Sequence, residues 1–255
     1  MTQLKTQTQS GAFDYCVLVE DSDLFAKNVG FIKILDRELF LSLKTEQIHK
    51  ILSHHGAQLV SVQIEAGDHA LLHAVQSHGF VFIDCRTAMV IADLQTHYAA
   101  APYTIRDAVA EDYALLATIA RESFHDGRFV ADIRIDQNLA AKRYEKIITQ
   151  CLVAREKGDA VWVLGEIGAP EAFMALNIKA EHNACELKLA ASTGAKGMGT
   201  LLFRNTLLRL RAMGISKVQG QIGPGNTAIT NVYIKLGFRI SPLQCMFHLH
   251  LEERV

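Results

Sequence analysis

The residues most able to do chemistry lie between Cys185 and Phe238. The run Cys185-Glu186-Leu187-Lys188-Leu189-Ala190-Ala191 alternates enough to read as a strand with one polar edge. Ser192-Thr193-Gly194-Ala195-Lys196-Gly197-Met198-Gly199-Thr200 follows, with three glycines in six residues ahead of an apolar helix. Glycine lets the backbone turn tightly and leaves main-chain N–H groups unshielded by a Cβ. The helix behind aims its unpaired amides and positive dipole end at the same spot, so this is an anion site suited to a pyrophosphate. A tight strand-to-helix turn alone would also need glycine, so the loop by itself is weak evidence. No residue pairs as a nucleophile with an activating base, which disfavours a covalent intermediate.

The chain has 255 residues, 49% of them hydrophobic and 21% charged, enough for a substantial core. A formal net charge of -1 argues against nucleic acid as the main partner. The cysteines Cys16, Cys85, Cys151, Cys185 and Cys245 are scattered and odd in number, as expected of buried thiols in a reducing compartment. The first ten residues are polar and lack the apolar core of a signal peptide, and no run of about 18 apolar residues could span a membrane. A cytoplasmic protein is expected. Six of the 11 histidines lie between His49 and His78, including His69-x-x-x-His73. Glu65 and Asp68 precede that helix rather than share its face, so these histidines read as solvated and no metal is expected.

Reading in order, residues 1–11 form a frayed tail, and Tyr15–Val19 and Val29–Leu35 are strands. Thr45–His54 is a helix, Leu59–Ile64 a strand, Asp68–His78 a helix and Phe80–Ala92 a strand pair. An ungapped offset of 158 then matches Gly56/Gly214, Val60/Val218, Gln63/Gln221, Ile64/Ile222, Gly67/Gly225, Ala70/Ala228, Gly79/Gly237 and Phe80/Phe238. Eight identities in 25 positions, against about one or two by chance, indicate a duplicated unit. Asp68 lies opposite Asn226, both able to cap a helix. Val75 stands opposite Tyr233, and Asp36–Leu41 replaces the glycine loop, so the first copy keeps the fold without the chemistry. The stretch around Ala99-Ala100-Ala101-Pro102 reads as a linker. Strand 103–108, helix 110–123, loop 124–129, helix 139–155 and a hairpin over 161–165 and 172–178 lead into the glycine region. The domains expected are a partial copy over 12–96 and a complete one over 103–255, each an α/β mixed sheet with helices on both faces.

Gly194-Ala195-Lys196-Gly197-Met198-Gly199, followed by Asn226, Tyr233 and Gly237-Phe238, resembles the GNAT superfamily of acyl-CoA-dependent N-acetyltransferases. The family's pyrophosphate loop begins with Gln or Arg where Gly194 stands, so one side-chain contact to the phosphates is absent while the amide cradle survives. The resemblance implies a GNAT fold preceded by a truncated, degenerate GNAT-like copy, with acetyl-CoA as co-substrate. Leu189, Ala191, Gly194–Thr200 (with Ala195, Lys196, Met198, Gly199 and Thr200) and Asn226 would hold it. A backbone N–H at Leu189 would polarise the thioester carbonyl, and Tyr233 would be the general acid. Glu186 or a water chain would be the base. Within the superfamily, Phe124-His125-Asp126-Gly127-Arg128-Phe129, Asp132 and Tyr144 are similar to the signature of the dTDP-fucosamine acetyltransferase family. That implies a nucleotide-linked amino sugar held by Phe124, His125, Arg128, Phe129 and Tyr144, and a possible homodimer. On the plainer reading Phe124 and Phe129 are core anchors and Arg128 a solvated charge. Another amine acceptor, or a non-catalytic acyl-CoA-binding module, are the alternatives.

Overall fold

The computed structural model describes residues 4–9, 11–94, 104–124, 127–153, 158–194 and 197–251. It divides into two compact units. The first comprises residues 1–86, 131–135 and 242–255, the second 87–130 and 136–241. The division thus departs from the expected boundary at 96–103. Residues 87–91 fall in the second unit and the C-terminal strand falls in the first.

In the first unit β1 (Leu4–Gln9), expected as tail, pairs antiparallel with β2 (Phe13–Leu18). β2 pairs antiparallel with β3 (Val29–Ile34), and β3 runs parallel to β4 (Leu59–Glu65). The C-terminal strand β12 (Gln244–His250) lies antiparallel to β4 and to the first half of β5 (Val81–Ile91). The region 80–92, read from sequence as a strand pair, is therefore one long strand. Its polar interruptions Asp84 and Arg86 satisfy each other at 2.9 Å instead of marking a turn.

Helices α1 (Val19–Phe25), α2 (Arg37–Ser42), α3 (Thr45–His54) and α4 (His69–Ser77) complete this unit. Ile48 with Leu52, and Leu71 with Val75, stand four apart on α3 and α4 and are buried in one core with Phe13, Phe40, Val62 and Phe247. Each such side chain contributes about 2 kcal/mol of burial.

The second unit opens with β6 (Arg106–Asp107), a 3₁₀ turn at Ala110–Asp112 and α5 (Tyr113–Ser123). The short α6 (Arg128–Ala131) occupies part of the expected loop, followed by α7 (Gln137–Val153). Then come β7 (Asp159–Glu166), β8 (Ala169–Lys179), β9 (Ala184–Ser192), α8 (Met198–Ala212), β10 (Lys217–Ile222), α9 (Thr227–Lys235) and β11 (Arg239–Ile240). The sheet order is β6-β7-β8-β9-β10, with Thr87–Ile91 of β5 antiparallel to β10 and also paired with β11.

β8 shows why helices cover both faces. Ala172, Met174 and Leu176 pack with Leu202, Phe203, Leu207 and Leu210 of α8, whereas Phe173 and Ala175 pack with Leu116 and Ile119 of α5 and Ile148 of α7. A strand apolar at every position can be buried only between two layers.

Candidate active site

Three local features of the second unit converge on one end of β9. The first is an interruption of the sheet. β9 and β10 pair in parallel from Ala184/Lys217 to Leu187/Gly220, where the pairing stops. Gln221 and Ile222 of β10 go on to pair with Ala88 and Thr87 of β5. On the other side of β9, Leu189 faces Ala175 but Leu187 faces Leu176, so Lys188 is an extra residue, a β-bulge. Past Leu187, β9 therefore leaves β10 and presents a main-chain edge without a strand partner among the described residues.

The bulge has a buried polar anchor. Lys188 Nζ lies 2.8 and 2.9 Å from the two carboxylate oxygens of Asp159, which also accepts from Asn177 Nδ2. Burial works against the lysine's charge, but the bonds to Asp159 outweigh it and its pKa is raised. In the sequence Lys188 is indistinguishable from the polar edge of a strand. An isolated lysine in an apolar run is the only trace it leaves there.

The second feature is the glycine loop. Gly194 and Gly197 have φ of +99° and +87°, the left-handed region that side chains disfavour. Gly197 is the N-cap of α8, whose 15 residues direct their dipole at the loop. A Cβ built at Gly194, Gly197 or Gly199 would meet nothing within 4 Å, so the backbone there borders open space. Ala195 and Lys196 lie outside the described residues. Met198 and Thr200 fall in the first turn of α8, and Ala191 on β9 is half-buried.

Tyr233 is the third feature. It is 3% exposed on α9, with its ring edge-on to Phe203 (4.9 Å) and Phe238 (4.6 Å). A Cβ at Gly220 would come within 2.5 Å of Tyr233 Oη and 3.4 Å of Leu187 Cβ. The hydroxyl therefore sits on the last rung of the β9–β10 pair, where the strands part. Burial raises its pKa above the ordinary tyrosine range, so it keeps its proton at neutral pH.

Other expected site residues are placed differently. Glu186 alternates with Cys185 and Leu187, which pack on the α8 side with Tyr233, so it projects from the opposite face. Leu189, past the bulge, packs with the α5–α7 core, as do Phe124 and Tyr144. The rings of Phe124 and Tyr144 stack at 4.7 Å, 16° from parallel. Phe129 is buried beneath the guanidinium groups of Arg128 (4.7 Å) and Arg143 (5.0 Å), the position of a core anchor. His125 lies outside the described residues. Asn226 is an N-cap: its side chain accepts from Ile229 N at 3.2 Å, as Asp68 accepts from Leu71 N at 3.1 Å in the first unit.

No protein-family model and no curated protein matches the sequence. Among solved structures, the chain is similar to a GCN5-related N-acetyltransferase from Sphaerobacter thermophilus, with a TM-score of 0.67 and 14% identity over 96% of this chain and 78% of that one. It is equally similar, at TM-score 0.67 and 13% identity, to a functionally unknown conserved protein from Staphylococcus epidermidis, covering 99% of this chain and 96% of that one. A tandem GNAT protein from the clavulanic acid biosynthesis pathway matches at TM-score 0.60 and 13% identity, over 93% of this chain and 78% of that one. At these identities the likeness is one of fold. The chain has the GNAT fold, a mixed α/β architecture.

Proposed function

We propose that the second unit is an acetyl-CoA-dependent N-acetyltransferase acting on a primary amine. The observation that carries the reading is the coincidence at Leu187/Gly220: the parallel pair opens there, and a buried, protonated tyrosine stands at the opening. The glycine loop and the α8 N-terminus fit a pyrophosphate, because amides at positive φ face open space with no Cβ in the way. Gly194, Gly197 and Gly199 would hold the phosphates, and the unpaired edge of β9 beyond Leu187 would hold the extended arm. Acetyl-CoA supplies an activated acetyl thioester.

The chain's own part is positioning and proton supply. The Leu189 main chain, which lies past the last β9–β10 rung, would donate to the carbonyl oxygen as charge develops on it. Tyr233 would give its proton to the departing sulfur, a modest base that a phenol can serve. Glu186, on the other face, is a base for the incoming amine only if the amine approaches from the α5–α7 side. That side also carries the Phe124–Tyr144 stack.

For the acceptor we favour the amine of a nucleotide-linked amino-deoxysugar, on the family of dTDP-fucosamine acetyltransferases. The support is the sequence pattern around Phe124 to Tyr144 and the flat Phe124–Tyr144 stack, a surface on which a sugar or base could lie.

Tyr233→Phe tests the reading. Phenylalanine keeps the ring between Phe203 and Phe238 and removes the proton. The expected result is a kcat lower by about 10²-fold with KM for acetyl-CoA nearly unchanged. A wild-type kcat in the variant, measured where chemistry limits the rate, removes the acid role. A parent protein that turns over no amine across a panel of amino sugars, polyamines and peptides returns the module to acyl-CoA binding without catalysis.

A further inference from the structure

We propose that Asp132, His248 and His250, in the first unit, form a binding site for one divalent transition-metal ion of the zinc, cobalt or nickel type. The site is independent of the acyltransferase reading. His248 and His250 stand two apart on β12 and so project from the same face of the strand. His248 Nδ1 and His250 Nε2 each lie 2.8 Å from the same oxygen, Asp132 Oδ2, and the three donor atoms are within 4.8 Å of one another. Asp132 is 1% and His248 0% exposed, while His250 at 19% is the side from which an ion would enter.

The arrangement is more than a hydrogen-bond network needs. Arg134 Nη2 also approaches Oδ2, at 3.1 Å, which puts three nitrogen atoms around an oxygen with two lone pairs. A divalent ion taking the place of the imidazole protons would relieve that crowding. The other carboxylate oxygen is occupied separately: Oδ1 accepts from Arg134 Nε at 2.9 Å and from Arg134 N at 3.1 Å. Those two bonds orient the carboxylate with Oδ2 toward the histidines, the supporting role that second partners of metal ligands fill. The Arg134 side chain is 39% exposed, so Nη2 can yield Oδ2 to an ion while Nε stays on Oδ1.

Two imidazoles and one carboxylate suit zinc, cobalt and nickel better than magnesium or calcium, which take oxygen donors. Three protein ligands leave at least one coordination position for water. Both sequence signals were available, the His-x-His of a strand and an aspartate just past a short helix, but they are 116 and 118 residues apart in the chain.

The full-length chain, stripped with chelator, should be titrated with zinc by calorimetry and with cobalt by its visible d–d absorption. The expected result is one ion per chain, a higher melting temperature with zinc, and cobalt bands displaced by zinc. His250→Gln, at the more exposed ligand, should fold and weaken binding by about 10- to 100-fold. A His69→Ala/His73→Ala double variant controls for the histidine pair on α4 and should bind as the parent does. Asp132→Asn is a second test, read only if its circular dichroism matches the parent. No binding at micromolar ion, undiminished affinity in His250→Gln, or loss of binding in the α4 double variant would each overturn the assignment.

Discussion

Tyr233 and Gly220 function as one device, because the tyrosine hydroxyl occupies the volume in which a Cβ on Gly220 would sit. The first unit has a similar contact at a position the 158-residue offset does not relate to it: a Cβ at Gly30 would fall 2.0 Å from the ring of Tyr15, whose hydroxyl donates to Asn28 Oδ1 at 3.0 Å. Gly220→Ala should therefore displace a fully packed ring and cost about 1–3 kcal/mol by overpacking. On the proposed reading it should also lower kcat, and urea unfolding beside steady-state kinetics separates the two losses. A variant as stable as the parent would mean that the ring has room to move. Asp112 makes a pH-dependent prediction. It is fully buried and accepts from Arg106 Nη1 at 2.6 Å and Nη2 at 3.0 Å, and from the backbone of Val109 and Gly168 at 2.9 Å each. The Arg106 bonds, then burial acting against them and the backbone bonds acting with them, hold its pKa down to about 2 from 3.8. A depressed carboxylate contributes stability that is present above pH 3.8 and lost as pH falls toward 2. Asp112→Asn should destabilise the protein by about 3 kcal/mol at pH 7 and flatten that acid limb of the denaturation curve.

At the scale of elements, the two copies differ where the chemistry is expected. β4 and β10, and α4 and α9, begin at positions related by 158. The parallel strands do not: Val29 lies opposite Leu59, 30 residues on, whereas Ala184 lies opposite Lys217, 33 residues on. Three additional residues enter between the strands of the second copy, in the connection that holds the glycine loop and α8. The first copy spans it with α2 and α3, and α2 is capped by Asp36. Most of this was legible in the sequence because capping residues, glycines at positive φ and apolar periodicity are local signals. Thr45–His54 is a helix with the bounds read from its pattern. The β9 bulge and the parting of β9 from β10 were not legible as positions, since they depend on which strand stops pairing. Gly197→Val places a branched side chain at φ +87° and in the open space before α8. It should abolish the rise in melting temperature that acetyl-CoA gives the parent, with the fold retained. Equal rises in both proteins would refute the cradle.

At the scale of the whole chain, sequence order and spatial order separate. β12 and the second half of β5 each pair outside the copy they follow in sequence, whereas β11, directly after α9, stays in the second unit. β12 follows α9 yet lies beside β4 in the first unit, and the second half of β5 follows α4 yet lies beside β10 in the second. A repeat search cannot show this, because offset identities report which segments are alike and not which partner each strand takes. Composition changes at 96–103, whereas the compact units divide after residue 86 and again at 241–242. The consequence can be measured with two fragments ending at 255, one starting at 87 and the other at 103. Only the longer fragment retains Thr87–Ile91, which covers the edge of β10 through five register pairs and brings Met89 and Ile91 into the core with Val218 and Ile222. Removing those two buried side chains alone costs roughly 4 kcal/mol, and a bare β10 edge invites intermolecular pairing. The fragment from 103 should therefore aggregate or melt well below the fragment from 87, as followed by light scattering and thermal unfolding. Equal melting temperatures and equal solubility for the two fragments would mean that Thr87–Ile91 is dispensable to the second unit.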